Sequence, residues 1–168
     1  LHRHHLALEI RSAEITATDR SAAALQVARN NAARLGAVPQ TRFFEGSWFE
    51  ALPPDRLKYH GLVSNPPYVG AGDPHLSKGD LRFEPNAALS PAATGDAIMA
   101  QPDGLSDIAR LASGAPQWLE PGGFLLVEHG SEQQAAVIAL FRQAGLTEVR
   151  GLADDQSLPR AVIGFRAG

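Results

Sequence analysis

The sequence of 168 residues contains no cysteine, one methionine and few aromatic residues, which make up 7% of the chain. The lack of cysteine excludes a disulfide scaffold, a thiolate zinc site, an iron–sulfur cluster and a cysteine nucleophile. Fifteen Lys and Arg stand against 18 Asp and Glu, so the strongly basic surface of a nucleic-acid-binding protein is not indicated. No apolar run approaches the roughly 20 residues that cross a bilayer, and the first ten residues, LHRHHLALEI, lack the apolar core and the small-residue cleavage site of a signal peptide. We therefore expect a cytoplasmic protein without membrane contact.

The remaining composition, 44% hydrophobic and 20% charged, is that of a globular protein. At roughly 100–200 residues per domain, the length predicts one domain with a core of its own. The chain begins with Leu1, and Met99 is its only methionine. We therefore expect it to be an N-terminally truncated or processed chain.

Short apolar runs alternate with longer helical stretches, which predicts an α/β fold on a mostly parallel sheet. The first predicted strand, residues 14–18, ends at Asp19, and Ser21 is the expected N-cap of the next helix. Gly36 stands where a helix ends in a left-handed residue. The apolar residues of this helix recur at helical spacing: Leu25, Ala28, Ala32 and Leu35.

Further strands are expected at 41–45, 59–64 and 124–128, and two last strands, 148–152 and 161–166, as an antiparallel pair at the sheet edge. Helices are expected at 105–119 and 132–144. Residues 69–103 read as a long loop, which in a compact domain is usually functional or disordered.

The most informative stretch is Asn65-Pro66-Pro67-Tyr68, because it follows an apolar strand directly, where α/β sheets bind their ligands. Two prolines hold the chain extended and leave the Pro66 carbonyl free, and Asn65 adds a side-chain carbonyl. Two acceptors beside the flat ring of Tyr68 suit a planar –NH2 group, whose nitrogen they would orient toward an electrophile. An ordinary Asn-Pro turn is the alternative, and the four letters alone favour neither.

Three motifs in this order resemble the protein-(glutamine-N5) methyltransferases of the HemK type: VSNPPYV at 63–69, GDLRFEP at 79–85 and GGFLLVEHG at 122–130. Asp103-Gly104-Leu105 is a weaker fourth match. The resemblance implies a Rossmann-like fold that uses S-adenosylmethionine (SAM). It also implies methylation of the glutamine amide in the Gly-Gly-Gln motif of peptide chain release factors. A sister group acts on a ribosomal protein, but the wording of the motifs is closer to the release-factor group.

The resemblance also assigns roles to single residues. Asp19 corresponds to the acidic residue that accepts hydrogen bonds from the SAM ribose, and Trp48 to a position beside the adenine. Asn65 contacts both cofactor and substrate amide in the family. Pro66 and Tyr68 are the other expected catalytic residues, and Pro67 completes substrate binding. Asp19 as a helix cap and Trp48 as a core residue are the structural alternatives.

Other conspicuous side chains receive no catalytic role. Arg82 and Glu84 match a loop that borders the glutamine channel in the family, but a solvated ion pair is the more common role of two such residues. Glu128 and His129 follow a buried strand, and we expect a structural hydrogen bond from His129. The terminal tract 2–5 (HRHH) is expected to be exposed, and no metal site is assigned.

The family's first strand and its glycine-rich loop, of the type Asp-x-Gly-x-Gly-x-Gly, are missing before Glu14. That strand separates the second and fourth strands in the family, so these two would lose a hydrogen-bonded neighbour. We expect a partial catalytic domain over 1–168 that alone binds SAM weakly or not at all. A nucleic-acid amino-methyltransferase and an inactive remnant or binding module remain alternative interpretations.

Overall fold

The structure, a computed structural model, describes residues 12–53, 58–67 and 104–168. The chain divides into two compact units, Leu1–Leu57 and Lys58–Gly168. Several features singled out above lie outside the described residues: the tract 2–5, Tyr68, the loop 69–103 with Arg82 and Glu84, and Asp103.

The first unit is a strand–helix–strand segment. Strand β1 (Ile15–Asp19) leads into helix α1 (Ala22–Arg34), which is followed by β2 (Thr41–Glu45) and a short 3-10 helix, Trp48–Ala51. The Ser21 hydroxyl accepts the Ala24 N–H at 3.2 Å, as an N-cap does, and Gly36 closes the helix at φ 69°. Both sequence predictions about the helix ends are therefore confirmed.

The core of this unit is small because α1 buries few side chains. Leu25 and Ala32 are buried at the predicted helical spacing, whereas Leu35 caps the helix and is 43% exposed. Ala32 forms a core cluster with Ala37, against which Ile15 and Phe43 pack. Strands β1 and β2 pair in parallel, with Ile15 opposite Thr41 and Asp19 opposite Glu45. Their carboxyl ends therefore meet at one edge.

The second unit is a four-stranded sheet covered by helices. It contains strands β3 (Tyr59–Ser64), β4 (Leu119–Glu128), β5 (Leu146–Ala153) and β6 (Pro159–Arg166) in the order β3-β4-β6-β5, and helices α2 (Ser106–Gly114) and α3 (Gln134–Gln143). β3 and β4 are parallel, and β6 is antiparallel to both β4 and β5. The antiparallel pair at the sheet edge was predicted correctly. No helix in the described ranges is long and apolar enough to cross a membrane.

One face of this sheet carries the core. Leu125, Val127 and Val162 are fully buried on the strands, and Ile108, Val137 and Phe141 are fully buried on the helices. A Cβ on Gly164 would come within 3.0 Å of the Phe141 ring, which places α3 directly over β6. Burying each large apolar side chain contributes about 1.5–3 kcal/mol to folding.

Two sequence predictions in this unit are wrong in their extents. The helix expected over 105–119 ends at Gly114 and continues as a 3-10 turn, because Pro116 lacks the N–H that an α-helix needs. The strand expected over 124–128 begins at Leu119. The segment Pro121-Gly122-Gly123 is an irregularity inside β4, since Tyr59 pairs with Leu119 and Gly61 already with Phe124.

β1 and β3 are the two strands that we expected to lose one hydrogen-bonded neighbour, and each has one other neighbour. Among the described residues, β1 is hydrogen-bonded to β2 alone and β3 to β4 alone.

Hydrogen bonds to the Asp154 carboxylate hold the turn of the β5–β6 hairpin. The Asp154 Oδ1 accepts the N–H groups of Gln156 (2.9 Å) and Leu158 (3.0 Å), and its Oδ2 accepts the Arg160 Nε–H at 3.3 Å. The Leu158 N–H first, and then the Gln156 N–H and the Arg160 guanidinium, lower the pKa of the Asp154 carboxyl below its ordinary value of 3.8. These bonds hold the turn in which Ser157 adopts a left-handed φ of 63°.

We predict that Asp154→Asn lowers the free energy of unfolding at neutral pH. A carboxyl whose folded pKa is depressed stabilises the fold above its unfolded pKa, and this contribution is lost as the pH falls through the folded pKa. The difference in the free energy of unfolding between wild type and Asp154→Asn should therefore become smaller below about pH 4. Urea denaturation at several pH values measures it. Asp155→Asn, an exposed neighbour with no hydrogen bond to its carboxylate in the described turn, is the control. A difference that stays constant with pH contradicts the prediction.

Candidate functional site

In the first unit, Asp19 lies at the carboxyl end of β1 with its carboxylate half-buried. Oδ1 accepts the Ser21 N–H at 2.9 Å, whereas Oδ2 has no hydrogen-bond partner in the part of the chain that is described. The helix cap itself comes from the Ser21 hydroxyl. One oxygen of Asp19 thus orders the turn before α1, and the other is available to a ligand.

The segment after β2 is tied to the backbone of Asp19. The Gly46 N–H donates to the Asp19 carbonyl at 3.0 Å, and the 3-10 helix beginning at Trp48 follows immediately. Gly46 has φ 150°, and a Cβ there would lie 2.9 Å from the Ala51 Cβ. Only glycine lets this loop fold so closely, and the loop brings Trp48 to the same edge as Asp19.

Trp48 itself has a left-handed backbone, with φ 48° and a half-buried side chain. This conformation costs a residue other than glycine about 1–2 kcal/mol. Strained backbones of this kind are concentrated at functional sites. The sequence held no signal for this strain, because it depends on contacts around the loop.

Asp19 and Trp48 together suit a nucleoside. A carboxylate oxygen accepts from vicinal ribose hydroxyls, and an indole offers a flat apolar face to a purine. The residues the structure describes therefore fit the nucleoside half of SAM.

In the second unit, Asn65, Pro66 and Pro67 follow β3 directly. The ladder with β4 holds Ser64 opposite Val127, so this segment begins where β4 reaches Glu128 and His129. Asn65 is exposed, Pro66 is buried and Pro67 is half-buried. The predicted position at the carboxyl end of a strand is confirmed, while Tyr68 lies outside the described residues.

The Asn65 amide makes no hydrogen bond to any residue in the described ranges, so its carbonyl oxygen is available as an acceptor. Pro66 and Pro67 have no N–H and cannot continue the ladder. The segment therefore leaves the sheet with an exposed amide acceptor and backbone carbonyls that no β-strand partner needs.

Beside this segment, β4 ends in a hydrogen-bonded turn that sequence reasoning missed. The Gly130 N–H donates to the Gln133 Oε1 at 2.8 Å, and the Gln133 N–H donates back to the Gly130 carbonyl at 2.9 Å. The one sequence feature that indicates this turn is the spacing of Gln133, three residues after Gly130. No group of three metal-ligating side chains occurs in the described part of the chain.

No protein-family model matches the sequence. Among solved structures, the chain resembles a methyltransferase from Pyrococcus furiosus with a TM-score of 0.67 and 15% identity, covering 98% of this chain and 68% of that one. It also resembles the S-adenosylmethionine-dependent methyltransferase SibL, with a TM-score of 0.63 and 18% identity, covering 98% and 47%. The strand order and these likenesses define an α/β protein with the Rossmann-like fold of SAM-dependent methyltransferases.

The sequence narrows this class. The release factor glutamine methyltransferase of Bordetella pertussis is 48% identical over 160 residues, which cover 95% of this chain and 55% of that protein. Release factor glutamine methyltransferases of Neisseria gonorrhoeae and Xylella fastidiosa match at 46% and 44% identity, and the chain spans about half the length of the curated relatives it matches.

We predict that Asn65→Ala changes the free energy of unfolding by less than about 0.5 kcal/mol, because the side chain is exposed and makes no hydrogen bond within the described ranges. Pro66→Ala should cost about 1–2 kcal/mol, since it removes a buried ring and gives the unfolded chain more freedom. Urea denaturation of both variants measures this. A large loss with Asn65→Ala would show that this residue serves the fold.

Proposed function

We propose that this chain carries the amide-binding and nucleoside-binding residues of a protein-(glutamine-N5) methyltransferase. Its substrate is the side-chain amide of the glutamine in the Gly-Gly-Gln motif of peptide chain release factors. The observation that carries this proposal is the exposed Asn65, whose amide has no hydrogen-bond partner among the described residues and which two prolines follow at the carboxyl end of β3. The 48% identity to the Bordetella pertussis enzyme supports the reaction.

Asn65 and Pro66 solve the central difficulty of amide methylation. A carboxamide nitrogen is a poor nucleophile because its lone pair is delocalised into the carbonyl. The Asn65 Oδ1 and the Pro66 carbonyl oxygen accept its two N–H groups and turn the lone pair toward the methyl donor. Pro67 and Tyr68 complete this amide-binding segment. SAM, when bound, supplies an electrophilic methyl group.

Asp19 and Trp48 hold the cofactor in this proposal. The Oδ2 of Asp19, which has no partner in the described part of the chain, accepts from the ribose hydroxyls, and the Trp48 indole packs against the adenine. Asn65 contributes a further contact. The proposed partners are release factors, without direct nucleic-acid or membrane contact, and the proposed location is the cytoplasm, where translation ends.

The main competing function is methylation of an amino group on a nucleic-acid base, which presents the same planar –NH2. Such enzymes need phosphate contacts from Lys and Arg, and the formal net charge of −3 does not favour them. A glutamine on a ribosomal protein is the second alternative, and an inactive fragment is the third.

Activity is tested in a chimera, because the chain matches only 55% of the Bordetella pertussis relative. In the chimera this chain replaces the matching segment of that enzyme. We predict transfer of labelled methyl groups from SAM to release factor. Asn65→Ala should lower kcat/KM about 100- to 1,000-fold, as loss of a transition-state hydrogen bond does. Asn65→Asp keeps an acceptor oxygen and should lose less.

The same assay offers ribosomal protein, RNA and DNA as substrates. The Asn65→Ala chimera measures the background labelling of each substrate. Preferential labelling of RNA or DNA would overturn the protein-substrate proposal, and labelling of ribosomal protein alone would overturn the release-factor assignment. Unchanged turnover with Asn65→Ala would overturn the role of the amide-binding segment. No labelling at all, by a chimera that folds like the Bordetella pertussis enzyme, would support the inactive fragment.

We also predict that S-adenosylhomocysteine quenches the fluorescence of Trp48. In the chimera, Trp48→Phe should remove most of the quenching, while Trp118→Phe, which removes the other tryptophan of this chain, should retain it. Asp19→Ala should raise the Kd for S-adenosylhomocysteine about 10- to 100-fold, because a hydrogen bond between the ligand and a charged group is lost. Quenching that follows Trp118 would contradict the proposed adenine site.

A further inference from the structure

His129 is a fully buried imidazole at the carboxyl end of β4, with 0% exposure. The backbone N–H of His129 donates to the Arg160 carbonyl at 3.0 Å, which extends the β4–β6 ladder by one residue. Buried and half-buried residues alternate along β4, so His129 shares the core face with Leu125 and Val127. The proposed function gives this residue no role.

The ring of His129 is held in one orientation. Its Nδ1 lies 2.8 Å from the Gly130 carbonyl oxygen, which also accepts the Gln133 N–H at 2.9 Å. A carbonyl oxygen only accepts, so Nδ1 must carry the proton and donate. In the neutral ring Nε2 then presents a lone pair. No donor in the described part of the chain reaches that nitrogen.

His129 corresponds in register to a residue of the amide-binding segment. The ladder ends at the pair Ser64 and Val127, and two residues further along each strand stand Pro66 and His129. Residues paired across strands share a face, and both Pro66 and His129 are buried. Asn65 and Glu128 fall on the opposite face by the same alternation.

Pro66 needs such a neighbour because the ladder cannot hold it. Neither Pro66 nor Pro67 has an N–H, so no backbone donor of either residue fixes the direction of the Pro66 carbonyl. A rigid side chain packed against the proline ring can fix it instead. The imidazole of His129, anchored through Nδ1–H to Gly130, is the buried side chain that the register supplies.

We propose that His129 is a positioning residue: its anchored ring sets Pro66, and through Pro66 the acceptor that orients the substrate amide. This inference rests on the proposed function of Pro66. The requirement for an anchored ring explains why a polar side chain stands in the core, where its Nε2 lacks a partner among the described residues. An apolar residue would fill the space without that penalty.

The test compares His129→Asn with His129→Leu in the chimera. The two side chains are nearly equal in shape, but only the asparagine amide can donate to the Gly130 carbonyl as Nδ1 does. We expect His129→Leu to lower kcat about 10- to 100-fold with little change in KM for release factor, because a small misplacement of a reacting group is costly. His129→Asn should recover much of kcat.

Melting temperatures of both variants separate this role from a purely structural one. If His129→Leu melts at a lower temperature but keeps wild-type kcat at a temperature where it is folded, the proposal is overturned. Equal loss of kcat in both variants also overturns it. Asn65→Ala is assayed alongside: if it is silent, the amide-binding function itself has failed.

A measurement on the chain alone completes the test, should both variants fail to fold. Nitrogen-15 NMR of the His129 ring should show a proton on Nδ1 and a lone pair on Nε2. Selective carbon-13 labelling of proline carbonyls should show a shift at Pro66 in His129→Gln, which places its amide where Nε2 stood. A ring protonated on Nε2 alone would overturn the proposal.

Discussion

The parallel hydrogen-bond ladder between β3 and β4 decides what lies beside the Asn65-Pro66-Pro67 segment. It fixes Ser64 opposite Val127 and so carries the two strands to their ends together. The strand partner can hold the segment no further, because the next two residues after Asn65 are prolines. Beyond Ser64, packing against the end of β4 replaces backbone hydrogen bonding as the constraint on the position of the segment. The buried His129 and the Gly130–Gln133 turn therefore belong to the same local arrangement as the exposed Asn65.

Local signals were enough to predict most of the fold. Ser21 and Gly36 mark the ends of α1 because capping depends on neighbours in the chain, and the strands at 41–45 and 59–64 match their apolar runs. The errors arose where distant contacts decide. Leu119 enters β4 because it pairs with Tyr59 across the sheet, and no local pattern around Pro121 records that pairing.

The candidate site divides in the same way. That Asp19 and Asn65 stand at strand ends follows from the hydrophobic runs before them. The backbone of Trp48 and the hydrogen bonds around Gly130 depend on residues that fold back, such as Ala51 and Gln133, so the sequence alone did not predict them. β1 and β3 each have one hydrogen-bonded neighbour among the described residues.

Position 48 meets two requirements, a left-handed backbone for the loop and an indole for the proposed contact with a purine. Its left-handed backbone is a conformation that glycine or asparagine adopts more easily, so either residue would relieve strain in the loop after β2. Neither has an indole to offer to a purine. Selection for thermal resistance alone would therefore drive this position away from tryptophan, and selection for nucleoside binding would keep it. With the proposed adenine contact, this loop is a place where stability and ligand affinity oppose each other within a single residue.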